Sequence, residues 1–346
     1  MRKKDALTLG MTAAFFLLVG FLNAGGALNR SFSGQLVPIC VYSMMALSLN
    51  LTVGILGELS LGHAGFMSVG AVCGVIAATC LQEHIASPWL LMPLCMLIGA
   101  AAAALTGVIV GVPALRLRGD YLAIVTLAFC EIIKNILNCL YVSLDANGLH
   151  VSMFHAPQDA AADAVKIVKG AAGVTVRPYR LGLSTYPLCA VMVLLTLLLI
   201  IHFTNSREGR AVKAIRDDDI AAQSVGIDVT AYKLRAFVLS AAIAGVAGVL
   251  YGLNFSSFVA KKFDFNASIS ILVMVVLGGM GNLRGSVIAA VVLTVLPELL
   301  RGLDKYRMFI YALILILWMV FDLNTRLSNL GRTLAARLRR KGGEKP

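Results

Sequence analysis

The chain has 346 residues, of which 59% are apolar and only 14% are charged, and its formal net charge is +12. Soluble domains are about half apolar and about a quarter charged, so this composition excludes a water-soluble globular protein. We therefore expect an all-α integral membrane protein, since a spanning helix satisfies all its backbone polar groups within its own segment.

Long apolar runs recur along the chain, and a helix needs about 20 such residues to cross the hydrocarbon core of a bilayer. Gly and Ala are frequent inside the runs, which allows helix backbones to approach closely in lipid. The sequence predicts a polytopic helical bundle over residues 1–322, followed by a basic cytoplasmic tail at 323–346. The clearest runs are Leu7–Leu22, Leu36–Leu56, Ser60–Cys80, Trp89–Val112, Tyr121–Tyr141, Tyr186–Phe203, Leu234–Phe255 and Arg307–Phe321.

The first run follows Arg2, Lys3 and Lys4, as in a secretory signal, but no small-residue cleavage site is obvious after it and further spans follow. We predict an uncleaved first helix with a cytoplasmic N-terminus. The other basic residues lie in short loops and in the tail beside apolar runs, which is the positive-inside pattern. The positive charge therefore indicates contact with membrane lipid and does not indicate a nucleic-acid partner.

The parity of crossings assigns the loops to the two sides of the membrane. Residues 142–180 are predicted to form an extracytoplasmic loop with a short helix around Ala160–Lys169, and residues 205–231 a cytoplasmic loop. A glycine-rich turn at Gly278–Gly285 divides the apolar stretch around it into two short crossings. With that division the count is about ten transmembrane helices, and both termini are cytoplasmic.

Ionisable residues inside a membrane are costly, so they face the bundle interior or a wet path. The candidates for a translocation path are Glu58, His63, Glu131 and Lys134. Glu131 and Lys134 lie three residues apart on one predicted helix, and they form either an ion pair that fixes the bundle or a polar patch on the path. His63 lies among small residues, where it either bridges helices or contacts the path.

The loop at 205–231 has the character of an amphipathic helix from Arg210 to Val225, ended by Gly226. A helix lying on the lipid surface is one reading of this pattern. The three acids from Asp217 to Asp219 argue against it, because an anionic leaflet would repel them. A two-faced helix of this kind favours docking into a groove of a soluble partner.

Several stretches carry a family resemblance. The pattern Gly209-Arg210-Ala211, Ala214-Ile215-Arg216, Ala221-Ala222 and Gly226-Ile227 resembles the coupling-helix loop of importer permeases of the ribose and branched-chain amino acid type. The stretches Leu59–Phe66, Leu115–Leu127 and Leu277–Gly285 resemble the LivM-type permeases. The resemblance assigns coupling to an ATPase subunit to Gly209, Arg210, Ala214, Arg216, Asp217, Asp218, Ala221, Ala222 and Gly226.

The resemblance implies a permease subunit of an ATP-binding-cassette importer for branched-chain amino acids in the bacterial inner membrane. Its implied partners are a second, LivH-type permease, two ATPase subunits of the LivG and LivF type, and an extracytoplasmic amino-acid-binding protein. The chain departs from the family pattern at Glu58, where LivM-type chains have Gln.

The motifs that the sequence lacks limit the chemistry that this chain can perform. The chain has no GxxxxGK[ST] phosphate loop and no HExxH, GxSxG or CxxC motif, so we expect no enzyme, no metal and no cofactor bound by this chain, with ATP used by partner subunits. The alternative is an ion-coupled secondary transporter, for which paired carboxylates or unwound helices in matching halves are typical. No convincing internal repeat is present, although Leu277–Gly285 resembles a broken helix.

Overall fold

The computed structural model describes residues 3–26, 29–82, 85, 87–117, 119–145, 148–153, 165–176, 185–300, 312, 313, 316 and 320. The chain divides into two compact units, residues 1–294 and 295–346, and the described residues of the second unit are helical. The helices are α1 (Lys3–Ala24), α2 (Arg30–Asn50), α3 (His63–Leu81), α4 (Pro88–Ala114), α5 (Asp120–Cys139), α6 (Thr185–Asn205), α7 (Arg207–Asp217), α8 (Asp219–Ser224), α9 (Val229–Asn254), α10 (Phe265–Gly278) and α11 (Leu283–Leu299).

Seven helices within the described residues are long and apolar enough to cross a membrane, namely α1, α2 with its extension, α3, α4, α5, α6 and α9. The chain is therefore a polytopic α-helical membrane protein, as its composition predicts. The predicted count of ten also requires α10, α11 and the run at 307–321. α10 and α11 have only 14 and 17 residues, and most of the last run lies outside the described residues, so the count of ten stays a prediction.

The core of the bundle forms where α9 packs against α2, α3 and α4. Glycines bring the backbones together at these crossings. A Cβ on Gly70 of α3 would lie 2.3 Å from the carbonyl oxygen of Gly245, and a Cβ on Gly248 would lie 2.0 Å from that of Met67. Only glycine allows such an approach, which agrees with the role that the sequence predicts for small residues.

The predicted run ending at Leu56 is not one continuous α-helix. After Asn50 the chain continues as a π-helical turn over Leu51–Leu56, which we call the π segment, and all six of its residues are buried. It ends at Gly57, whose φ of +84° is in the left-handed region that favours glycine. Single π-helical turns within α-helices are frequent at functional sites.

Five short antiparallel strands lie outside the helical core: β1 (Leu140–Asp145), β2 (Gly148–Met153), β3 (Val165–Lys169), β4 (Val174–Thr175) and β5 (Ser257–Phe258). Their order in the sheet is β2-β1-β3-β4-β5. The predicted short helix around Ala160–Lys169 is therefore wrong over Val165–Lys169, where β-branched side chains suit a strand paired with β1. The fifth apolar run likewise ends as a helix at Cys139 and continues as β1.

The loop between α6 and α9 folds as two short helices, so the prediction of one helix from Arg210 to Val225 is wrong. The break is at Asp218, whose backbone is extended and whose carboxylate accepts hydrogen bonds from the N–H groups of Ile220 and Ala221, both at 3.0 Å. Asp stabilises a helix start in this way better than a helix interior. Gly226, with a φ of +85°, follows the end of α8, as predicted.

Candidate functional site

One side of α7 is anchored to the bundle. Ser206 caps the helix by accepting from the N–H of Gly209 at 3.1 Å. Gly209, Val212 and Ile215 are buried against neighbouring elements, among them α6, α9 and the π segment. A Cβ on Gly209 would lie 2.1 Å from the carbonyl oxygen of Phe203, so this position requires glycine for packing.

The nine predicted coupling residues divide between the two sides of the loop. Gly209 and Ala222 are buried within the chain. The other seven are exposed: Arg210, Ala214, Arg216, Asp217, Asp218, Ala221 and Gly226. The predicted set omits Ile220, whose side chain is 69% exposed next to the three acids, and Val225, which is 76% exposed. We call the exposed residues among 210–226 the loop surface.

Arg216 joins the loop to the end of α2. Its guanidinium donates from Nη1 to the carbonyl oxygen of Gly54 at 2.8 Å, and Nη2 lies 3.2 Å from Oδ1 of Asp217. Its aliphatic stem packs on Gly57, because a Cβ there would lie 2.5 Å from Cγ of Arg216. The loop is thereby fixed to the π segment.

Two ion pairs hold the same region to α9. Arg235 of α9 lies 2.8 Å from Glu208 of α7. Lys233 pairs with Glu58, and both side chains are only 15% exposed. Glu58, a predicted path residue, therefore lies at the loop end of the bundle in an ion pair, where the carboxylate is charge-compensated.

His63 lies in a buried hydrogen-bonded network between three helices. Its Nε2 is 2.7 Å from Oγ of Ser240 in α9, and its Nδ1 is 3.3 Å from Oγ of Ser60. The Ser240 hydroxyl also lies within hydrogen-bonding distance of the carbonyl oxygen of Ser48 in α2, at 2.7 Å. The side chain thus bridges α2, α3 and α9.

We expect Ser240→Ala to destabilise the bundle by about 1 to 3 kcal/mol, because it removes a buried hydroxyl and leaves Nε2 of His63 without its partner in α9. Thermal unfolding of the purified chain in detergent measures this effect. Ser270→Ala is the matched control, since Ser270 is exposed and bonds only to the carbonyl of Asn266 in its own helix among the described contacts. Equal melting of the two variants would contradict a stabilising role for the network.

Glu131 and Lys134 form the predicted ion pair on α5, with side-chain exposures of 35% and 15%. The same helix exposes large apolar side chains, among them Ile124 at 61% and Ile132 at 51%. Within a membrane, a partly exposed ion pair is stable where it contacts protein or water, and it is unfavourable where it contacts lipid tails. The ion pair therefore adds a polar, charge-balanced patch to a helix that also exposes large apolar side chains.

Comparison with known proteins places the chain among transport proteins. A family model described as "Branched-chain amino acid transport system / permease component" matches residues 31–319. The high-affinity branched-chain amino acid transport system permease protein LivM of Salmonella typhimurium is 35% identical over 291 residues, which cover 81% of this chain and 66% of that protein. LivM of Escherichia coli is 34% identical with the same coverage.

The permease protein LivH of Salmonella typhimurium is 25% identical over 275 residues, covering 79% of this chain and 85% of that protein. No solved structure matches the chain. The chain spans 66% of the length of the two LivM relatives. The family model covers far more than half of the chain, and the chain belongs to the family of branched-chain amino acid transport system permease components.

Proposed function

We propose that this chain is the membrane-spanning permease subunit of an ATP-binding-cassette importer that translocates branched-chain amino acids. The observation that carries the proposal is the two-sided loop of α7 and α8. One side is anchored to the membrane helices through Arg216 and Gly54, and the other exposes apolar residues beside acids. Such a surface suits docking to a soluble protein that moves on ATP hydrolysis.

The energy comes from elsewhere, because the chain has no phosphate-binding loop and is not itself an enzyme. Two ATPase subunits would supply it, and ATP would bind to them. A second permease of the LivH type would complete the pore, and an extracytoplasmic binding protein would deliver the amino acid. The named LivM and LivH relatives support a system that contains two kinds of permease.

The proposed topology puts the loop surface in the cytoplasm of the bacterial cell and the sheet outside its inner membrane. Support comes from α9, which begins next to the loop and leads to β5. Its 26 residues give a length of about 39 Å, close to the full thickness of a bilayer. The loop and the sheet then lie on opposite sides, and ten crossings leave both termini in the cytoplasm.

The translocation path is proposed to run along α5, where Glu131 and Lys134 provide a polar, charge-balanced patch for a zwitterionic amino acid. His63 and Glu58 are proposed to contribute through the arrangement of helices, since each already has buried or half-buried partners. Closure of the ATPases would move the helices as rigid bodies and expose the path alternately to the two sides.

The test uses the complex that copurifies with this chain from its native membrane, reconstituted in proteoliposomes with any binding protein present in excess. We expect uptake of radiolabelled leucine that requires ATP, stops with vanadate and persists when ionophores remove the ion gradients. Uptake that survives without ATP and collapses with an ion gradient would establish the secondary transporter instead. Failure of ATPase subunits to copurify would also contradict the proposal.

A further inference from the structure

A single amide side chain ties the end of α2 to the turn between α10 and α11. Asn50 is fully buried, and its Oδ1 accepts from the backbone N–H of Gly281 at 2.8 Å. Its Nδ2 donates to Oγ of Ser286 in α11 at 2.7 Å. Both hydrogen-bonding groups of the amide are thus used to hold the turn.

Gly54 of the π segment contacts both the α10–α11 turn and the loop that carries α7. A Cβ on this residue would lie 2.2 Å from the backbone nitrogen of Gly281 and 1.9 Å from Oδ1 of Asn50. Its carbonyl oxygen accepts a hydrogen bond from the guanidinium of Arg216 in the loop. The loop and the α10–α11 turn therefore meet at one residue, although they are far apart in sequence.

The turn fixes α10 and α11 to each other. A Cβ on Gly285 would lie 1.7 Å from the carbonyl oxygen of Gly278, and a Cβ on Gly278 would lie 2.4 Å from the carbonyl carbon of Gly285. Gly279 and Gly281 have φ values of +90° and +81° and complete the tight connection. Their backbones are in contact at the turn, so this end of the two helices is packed as one hairpin.

The π segment connects the two contacts. A π-helical turn is rare and usually confined to a single turn inside an α-helix, where one residue more than an α-helix needs is accommodated. A displacement of Gly54 can rearrange such a turn locally. The rearranged turn can then shift Asn50, which directly precedes the segment. Rearrangement of this kind is one of the ways in which small shifts at one site move a packed element elsewhere.

We propose that Arg216 and Asn50 are positioning residues of one relay, in which movement of the loop surface passes through Gly54 and the π segment to the α10–α11 hairpin. The relay rests on the proposed function, since an ATPase must move the loop. The loop is joined covalently to α6 and α9. The relay adds the α10–α11 hairpin to these two helices as a further element that is displaced in each transport cycle.

The test is a double-mutant cycle in the reconstituted complex. Arg216→Met keeps the aliphatic stem on Gly57 and removes the hydrogen bond to Gly54, while Asn50→Leu keeps the volume and removes both bonds to the turn. We expect each single variant to lower ATP-driven leucine uptake by about tenfold with ATPase activity retained, and the double variant to be no worse than the poorer single variant. Lys213→Met, which removes a cation of α7 that donates to Thr204, is the matched control.

A second readout follows the hairpin directly. Hydrogen exchange of the peptide covering residues 277–286 should differ between the ATP-free and the vanadate-trapped complex of the wild type, and this difference should vanish in both single variants. Additive losses of uptake in the double variant, or an exchange difference that persists in the single variants, would overturn the relay. ATP-driven uptake by the wild-type complex would still support the proposed permease function in that case. Wild-type complex without ATP-driven uptake would overturn both.

Asn50→Leu removes two buried hydrogen bonds, so its assembly is checked by copurification of the ATPase subunits. If it fails to assemble, Ser286→Ala carries the same test, because it removes only the acceptor of the Asn50 amide. Unchanged uptake and an unchanged exchange difference in Ser286→Ala would then overturn the relay.

Discussion

Gly248→Val and Gly70→Val are each expected to leave almost no folded protein in the membrane. The new Cβ at Gly248 would lie 2.0 Å from the Met67 carbonyl oxygen, and that at Gly70 would lie 2.3 Å from the Gly245 carbonyl oxygen. Overpacking costs about 1 to 3 kcal/mol where side chains can yield. Here the obstacle is backbone of a neighbouring helix, so we expect a larger cost, comparable with the total stability of about 5 to 15 kcal/mol.

The amount of monodisperse protein after mild detergent extraction, followed by fluorescence-detected size exclusion, measures this loss. Gly10→Val and Gly34→Val are matched controls in α1 and α2, because a Cβ at either position meets nothing within 4 Å. They make the same chemical change with the same effect on helix propensity. Yields of Gly248→Val equal to those of Gly10→Val would show that the helices separate at little cost.

Ile220→Glu is expected to reduce ATP-driven leucine uptake at least about tenfold while the chain remains folded, since an apolar anchor of an interface contributes about 2 kcal/mol or more. Ile220 is 69% exposed at the start of α8, beside three acids. Adding a fourth carboxylate there removes the apolar contact and increases the local negative charge. The melting temperature of the isolated chain should stay unchanged because the side chain packs little within the chain.

Copurification of ATPase subunits with the tagged chain, together with uptake, measures the effect of Ile220→Glu. Thr230→Glu adds the same charge at an exposed position in the first turn of α9, outside the two loop helices, and should transport normally. If Ile220→Glu retained its ATPase subunits and transported like Thr230→Glu, the loop surface would not be the docking site.

The membrane bundle follows from the sequence because each span is a property of one continuous segment, and the length of its apolar run decides the outcome. The π segment does not follow, since an apolar run reads the same for an α-helical and a π-helical hydrogen-bond pattern. Strand β3 was mistaken for part of a helix because five residues carry little periodicity, and its pairing with β1 is made by residues more than twenty positions away.

The candidate site was predictable to the extent that its residues are charged or adjacent in sequence. Glu131 and Lys134 meet as their spacing predicts. The break at Asp218 is not predicted, because the helical periodicity of the loop extends across an aspartate that caps a new helix. Asn50 gives no signal, because it is a neutral residue inside the apolar run Leu36–Leu56 and its role depends on Gly281 and Ser286, more than 200 positions away.

The strand pairing at the C-terminal ends of α5 and α9 limits how these two helices can separate. β1 follows α5 directly, β5 begins three residues after α9 ends, and backbone hydrogen bonds connect these strands through β3 and β4. Because this connection would have to break before the C-terminal ends of α5 and α9 could part, any divergence between them would be greatest at their N-terminal ends. In the proposed transport cycle the sheet would act as a pivot, and a cross-link between β4 and β5 should leave ATP-driven uptake intact.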